Sequence, residues 1–425
     1  MLTIYQRTDL AEEFVAQFAS VPLVSECVFL RPKYLRGGVE REVADVLFVH
    51  RQHAIIISLK HQGGPDKRSA DRTAQWAKKH AVEAAAQLKG AITTLKSRRL
   101  WCQHLRRGCV EFDAGQLQPI EAIAAVEAAA NGEVIHLAET ITLNHQGVPF
   151  SYFSVGDLLN LIFQLRSFPE LQTYLGARAM LSADTRQTLR GEKLLCERYL
   201  LNEGGFGGWN GFENALLEHA ARQSELAMII AKKRRLDSTT LFVEAVADCL
   251  SERLSNYEED LAPEVLASFD PSDRRKHYLV MQQELCDLTL LERRCLGQLR
   301  NDVISKIEED ASALAHRAYI DHSRDRLYVI AASKGFDRKR AIDAAQTILT
   351  AGLAYYGKQR GIIIVERLGE NFELAMRDGF SQHEQFKALG EKMFAHLKVS
   401  VHFGSISSGP QRVSQSNVNP KRNAD

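Results

Sequence analysis

The stretch ADVLFVHRQHAIIISLKHQ, Ala44 to Gln62, places an aspartate inside one apolar run and a lysine at the end of the next. Asp45 sits where an unpaired charge would be costly. Glu42 stands three residues before it, and Lys60 closes the second run. Carboxylates beside a lysine are the equipment of metal-assisted phosphodiester hydrolysis. Acidic oxygens hold a hard divalent cation, which polarises a phosphate and lowers the pKa of a water. The lysine orients or deprotonates that water, or offsets developing charge. Ser58 lies two residues before Lys60 and so shares its strand face. A hydroxyl is a poor Mg²⁺ ligand beside a carboxylate, so Ser58 is the odd member of the set. A plainer reading of Asp45 and Lys60 is a salt-bridged hairpin, or strand-end charges reaching water.

Two β-rich runs, VADVLFVH and AIIISLK, joined by RQH, are what could bring these residues together as an antiparallel hairpin. Helical spacing precedes them in DLAEEFVAQFASV, with Asp9 as a possible cap, and ECVFLRP is a short strand candidate. Ser69 can cap a long helix running to about Lys96, with a packing stripe of Ala77, Ala81, Ala84, Leu88, Ala91, Ile92 and Leu95. GEVIHLAETITL and VPFSYFSV read as further strands. From Asp157 to His322 the pattern is helical, and the last of these helices is expected to run through Tyr319. RLYVIAAS, FDRKRAIDAAQTILTAGLAYY and GIIIVER then spell a βαβ unit, its helix closed by Gly357. The fold expected is therefore α+β, in four parts. These are a mixed-sheet α/β core over 1–154, a helical region over 155–322, a small α/β domain over 323–404 and a disordered tail over 405–425.

The EREVADVLFV and IIISLK segments, followed by WAKKHAVEAAAQLKGA, resemble the PD-(D/E)XK nuclease superfamily. The narrower likeness is to the branch around the nuclease-related domain (NERD) and bacterial defence nucleases. The resemblance covers about the first 100 residues. It implies a Mg²⁺- or Mn²⁺-dependent enzyme cutting DNA. Asp45 and Glu42 would hold metal together with the Leu59 carbonyl, and Lys60 would act on the attacking water. It also implies a defence-system partner protein or a second copy of the chain as partners. Ser58 departs from the family pattern, which has Asp or Glu there. Either another acid (Glu42, Glu40 or Glu13) replaces it, or Ser58 binds metal weakly or through water, or the domain has lost catalysis and kept binding.

Residues 60–107 hold twelve lysines and arginines against three acids, in a chain whose net charge is +1. Lys67, Arg68, Arg72, Lys78 and Lys79 are the candidate phosphate contacts. HQGGPDKRS reads as a loop able to close over a strand. Trp76 and Trp101 could stack on bases, but read better as ordinary half-buried tryptophans. The glycine-rich EGGFGGWNGF at 203–212 has no GK[ST] and no preceding strand, so a helix-to-helix loop is expected. KKRR at 232–235 reads as a helix end. The seven cysteines show no CxxC pair, which points to reduced thiols in a cytoplasmic protein. No apolar run approaches membrane-spanning length. Two functions follow: a metal-dependent nuclease, or a catalytically inactive nuclease-like scaffold that binds nucleic acid or protein.

Overall fold

The computed structural model describes residues 10–62, 69–130, 133–134, 144–181, 192–201, 223–255, 271–310, 313–370, 372–378, 384–397 and 400–402. Asp9, the loop residues 63–68, the glycine-rich 203–212 segment and the expected tail at 405–425 lie outside them. The chain divides into two compact units, Met1–Asn301 and Asp302–Asp425. The fold is α+β, as expected.

The first unit begins with α1 (Leu10–Ala16), a 3₁₀ turn and α2 (Pro22–Ser25). Its sheet is built from β1 (Val28–Arg36), β2 (Val39–Glu42), β3 (Val46–His50), β4 (His53–His61), β5 (Leu100–His104), β6 (Gly108–Phe112) and β7 (Gln118–Glu127). After the small β8 (Ala129–Ala130) and β9 (Glu133–Val134) pair come β10 (Asn144–His145) and β11 (Val148–Phe153). The nine-stranded sheet has the order β10-β11-β7-β4-β3-β1-β5-β6, with β2 paired to β1. It is mixed. β3 and β4 form the expected antiparallel hairpin, while β4 and β11 both run parallel to β7.

β1 is bent. Its first half pairs with β3 and its second half with β2, and Arg31 between them has φ 45°. Two hydrogen bonds carry the ladder across the break: Arg31 N–H donates to the Asp45 carbonyl (3.0 Å), and Val43 N–H donates to the Pro32 carbonyl (2.7 Å). Irregularities of this kind re-aim side chains and are over-represented beside functional sites.

α3 (Ala70–Leu95) covers one face of the sheet, with Ser69 accepting from Arg72 N–H as its N-cap. All seven residues of the expected stripe are buried. They pack on Leu47 and Val49 of β3, Ala54 and Ile56 of β4, and Ala122, Ala124 and Val126 of β7. Helices follow: α4 (Val155–Leu165), α5 (Phe168–Ala179), then Lys193–Leu201, Gln223–Asp237, Leu241–Ser255, Pro271–Cys286 and Leu290–Asp310. The KKRR run falls in the last turns of Gln223–Asp237. No helix among the described residues is long and apolar enough to cross a membrane.

One element differs from expectation. The helix does not run to Tyr319. It ends at Asp310, and Leu314–Asp321 is strand β12. Eight consecutive residue pairs with β13 (Arg326–Ser333) override the local helical preference of an alanine-bearing segment. The second unit therefore starts at Asp302, and the border expected at 322/323 falls within it. Its sheet has the order β15-β14-β13-β12-β16, with β14 at Arg360–Arg367, β15 at Phe372–Asp378 and β16 at Ser400–His402. β13, the helix Arg338–Tyr356 and β14 make the expected parallel βαβ unit, with Gly357 at φ 64° closing the helix. A second helix, Glu384–Phe394, packs across the first so closely that a Cβ on Gly390 would lie 2.5 Å from the Ala351 carbonyl oxygen.

Candidate active site

Strand alternation sets the site. On β3, Leu47 and Val49 face α3, so Asp45, two residues earlier, faces the same way. On β4, Ala54 and Ile56 face α3, so Ser58 and Lys60 do too. The apolar floor beneath α3 thus turns polar at one end of the hairpin. A cleft of about 560 Å³ opens there, lined by Glu42, Asp45, Ser58 and Lys60, with Tyr34 and Arg36 from β1 and Gln87 from α3. Gly90 and Ala91 of α3 leave room on the helix side. The four sequence-selected side chains meet in one place.

Asp45 Oδ2 accepts a 2.7 Å hydrogen bond from Leu59 N–H. The β3–β4 ladder stops at Val46 and Ile57, so the Leu59 amide has no strand opposite it on that side, and the Asp45 carboxylate supplies the acceptor. N–H and C=O of one residue in an extended strand point to the same side, so the Leu59 carbonyl faces the same open end of β3. Lys60 is half-buried, and among the described residues it forms no ion pair within 4 Å. The hairpin is not bridged by Asp45 and Lys60.

Glu42 lies close enough to feel both. Burial, then the Asp45 charge, raises its pKa, while Arg31, Lys33 and Lys60 oppose the rise. Neither other acid considered for the Ser58 position lines the cleft: Glu40 pairs with Lys33 at 3.3 Å on the exposed β1–β2 hairpin, and Glu13 is on α1. Ser58 is buried, and its hydroxyl donates to Gln87 Oε1 at 3.3 Å. Sequence reading passed over Gln87, although a signal was there. Gln87 falls three residues after Ala84 and four before Ala91, a polar side chain at the rim of an alanine stripe. Tyr34 and Arg36 had no comparable mark.

Among the described residues, no group of three or more His, Cys, Asp and Glu side chains converges as a metal cage. The cleft instead offers an all-oxygen donor set: the Asp45 and Glu42 carboxylates, the Leu59 carbonyl, the Gln87 amide oxygen and the Ser58 hydroxyl. Mg²⁺ is commonly held by one or two carboxylates with waters and substrate phosphates, so these residues fit it. The like-charge pressure on Glu42 is what a cation would relieve.

The basic cluster resolves into two parts. Lys67 and Arg68 lie outside the described residues. Arg72, Lys78 and Lys79 are exposed on the N-terminal half of α3, where Lys79 lies 3.8 Å from Glu83. Lys79 precedes Gln87 by eight residues, about 12 Å along the helix axis. At the other end the charges are spent internally. Arg99 pairs with Glu111, Arg106 donates to Asp248 at 2.6 Å, and Arg107 donates to the Glu26 carbonyl at 2.6 Å. Trp76 packs on the core beneath α3 with its ring 4.2 Å from that of His80, and Trp101 is half-buried in β5.

No protein-family model, curated protein or solved structure matches the chain.

Proposed function

We propose that the first unit is a metal-dependent nuclease acting on DNA. The observation that carries the reading is the convergence of Asp45, Glu42 and an ion-pair-free Lys60 in one cleft. Asp45 and Glu42 would hold Mg²⁺ or Mn²⁺ with the Leu59 carbonyl, and the cation would supply phosphate polarisation and a more acidic water. Lys60 offsets the charge that builds on the phosphate oxygens as the bond to phosphorus forms. Arg36 at the cleft wall and Lys78 and Lys79 on α3 engage the flanking backbone phosphates. Ser58 orients Gln87 across the cleft.

A second reading has its own support. Ser58 replaces an acid, and one Asp45 oxygen is already committed to the Leu59 amide. A domain with those two features could bind DNA without cutting it.

Incubating the purified protein with plasmid and linear DNA, with Mg²⁺ or Mn²⁺ and then EDTA, separates the two. Cutting that needs metal and disappears in Lys60→Ala supports the nuclease. Retained binding without cutting under either metal sinks it. Ser58→Asp sharpens the result: a variant that gains metal-dependent cutting identifies Ser58 as the residue limiting catalysis.

A further inference from the structure

A second cluster lies apart from the cleft. Cys27, just before β1, and Cys286, the last residue of the helix Pro271–Cys286, are both buried, and each thiol lies 3.6 Å from the same acceptor, the Leu23 carbonyl. The two thiols are close enough to shift each other's ionisation in opposite directions. His50, at the end of β3, places Nδ1 3.9 Å from Cys27 Sγ, and its Nε2 is 2.5 Å from Asp287 Oδ1. Arg51 Nε donates to both Asp287 oxygens at 3.0 Å. Glu26, the residue before Cys27, also lines the site, and its charge opposes the thiolate. A cavity of about 190 Å³ is lined by Cys27, Cys286, His50, Glu26 and Gln282, ample for a molecule the size of water or peroxide.

We propose that Cys27 and Cys286 are a peroxide-responsive thiol pair, in which Cys27 is oxidised and Cys286 resolves it into a disulfide. The reaction has two steps. The Cys27 thiolate attacks one oxygen of hydrogen peroxide, the O–O bond breaks, hydroxide leaves and Cys27 becomes the sulfenic acid. Cys286 then loses its proton and attacks the Cys27 sulfur, the S–O bond breaks and water leaves. Peroxide is the two-electron oxidant, and the two thiols supply the electrons.

The surroundings favour the first step at this sulfur. The neighbouring Cys286 thiol, working against burial and aided by His50, brings the Cys27 thiol down to about 6. Cys102 and Cys196 go the other way: burial pushes each up to about 12. His50 would be pulled down by burial, but the hydrogen bond to Asp287, with Cys27, lifts it to about 9, so it stays an imidazolium beside the thiolate. Arg51 holds Asp287 in place behind it. Cys286 stays protonated until it is needed, because the neighbouring Cys27 sulfur and its own burial raise its pKa. The inference does not depend on the chemistry at Asp45.

The test uses the full chain, reduced and then exposed to hydrogen peroxide. Peptide mapping of the wild type is expected to find one disulfide, between Cys27 and Cys286. Cys286→Ser is expected to trap a sulfenic acid at Cys27 that dimedone labels. The exposed Cys109 is the internal reference. Cys27 should react at least about ten-fold faster than Cys109, and His50→Gln should bring it to the Cys109 rate. A urea unfolding midpoint close to that of the wild type shows that each variant is folded. A different disulfide, a Cys27 no faster than Cys109, or an unaffected rate in His50→Gln overturns the proposal.

Discussion

Both units lay a helix across apolar strands, and they finish the contact differently. In the second unit, Leu327, Val329 and Ala331 of β13 and Ile363 and Val365 of β14 meet Ala341, Ala345, Ile348 and Leu349 of the helix in an unbroken apolar layer. Its buried carboxylates are matched locally. Asp321 accepts from Ser323 N–H (2.9 Å), Ser323 Oγ (2.6 Å) and Arg324, and Glu373 lies 3.4 Å from both Arg338 and Arg367. In the first unit the apolar layer under α3 gives way to Asp45, Ser58 and Lys60, and the charges there converge without such matching. A buried acid with its own arginine is structure. An acid answered only by a backbone amide, beside a lysine that pairs with nothing described, is positioned for something that arrives from outside.

Four sets of substitutions bear on this contrast. The largest effect is expected at the cleft, and Asp45→Asn separates charge from structure there. It keeps an oxygen for the Leu59 amide, so stability should hold while metal-dependent cutting falls about 10²–10³-fold. Asp45→Ala should lose the cutting and about 1–3 kcal/mol of stability as well, read by urea denaturation. If Asp45→Asn cuts normally, the cleft is no different from the second unit.

Gly390→Ala is the counterpart in the closed layer. The new methyl would meet the Ala351 carbonyl and the Tyr355 side chain at 2.5 and 2.6 Å, so the second unit should lose about 1–3 kcal/mol while cutting by the first is unchanged.

Smaller, and dependent on pH, is the effect of Cys27→Ser. The His50 pKa of about 9, raised from 6.5, contributes stability that is complete below 6.5 and lost as pH rises through 9. The Cys27 pKa of about 6, lowered from 9.0, contributes stability that is complete above 9.0 and lost as pH falls through 6. Over the shared window the folded pair has moved a proton from sulfur to imidazole without changing the total. The wild type should therefore be nearly flat there. Cys27→Ser should uncover the part of the His50 shift that Asp287 sustains without the thiolate, with stability falling by on the order of 1 kcal/mol as pH rises above about 6.5, measured by urea titration at several pH values.

The smallest expected change is in DNA affinity. Lys78→Ala with Lys79→Ala should weaken binding a few-fold and reduce the slope of log affinity against log salt by about 1–2.

What was legible in the sequence had a period. The β3–β4 hairpin, α3 with its Ser69 cap and alanine stripe, and the βαβ unit closed by Gly357 all announced themselves through spacing of 2.0 or 3.6 and their terminal residues. β7 did not. Its AIAAVE core has alanine at half its positions and no aromatic, with Ile123 and Val126 its only β-branched residues, and it is a strand because small side chains suit a position between two neighbours and beneath α3. Asp45 and Lys60 could be chosen from sequence because one hairpin carries both. Gln87, Tyr34 and Arg36 reach the cleft from other elements. The Cys27–His50–Asp287 arrangement gathers residues from both ends of the first unit and left no local trace. The charge count over 60–107 overstated the free basic surface, because Glu26, Glu111 and Asp248, which answer part of it, lie beyond that window.

The parallel pairing of β4 with β7 has a consequence for the nascent chain. β4 finds β3 at once across a tight turn, but its other edge waits for Gln118–Glu127, more than sixty residues later, since His53 pairs with Gln118. Until that strand is synthesised, IIISL presents an apolar edge with unmet backbone groups, the kind of surface that self-associates. A fragment ending before Gln118 would carry Asp45, Ser58 and Lys60 and still be expected to aggregate rather than fold.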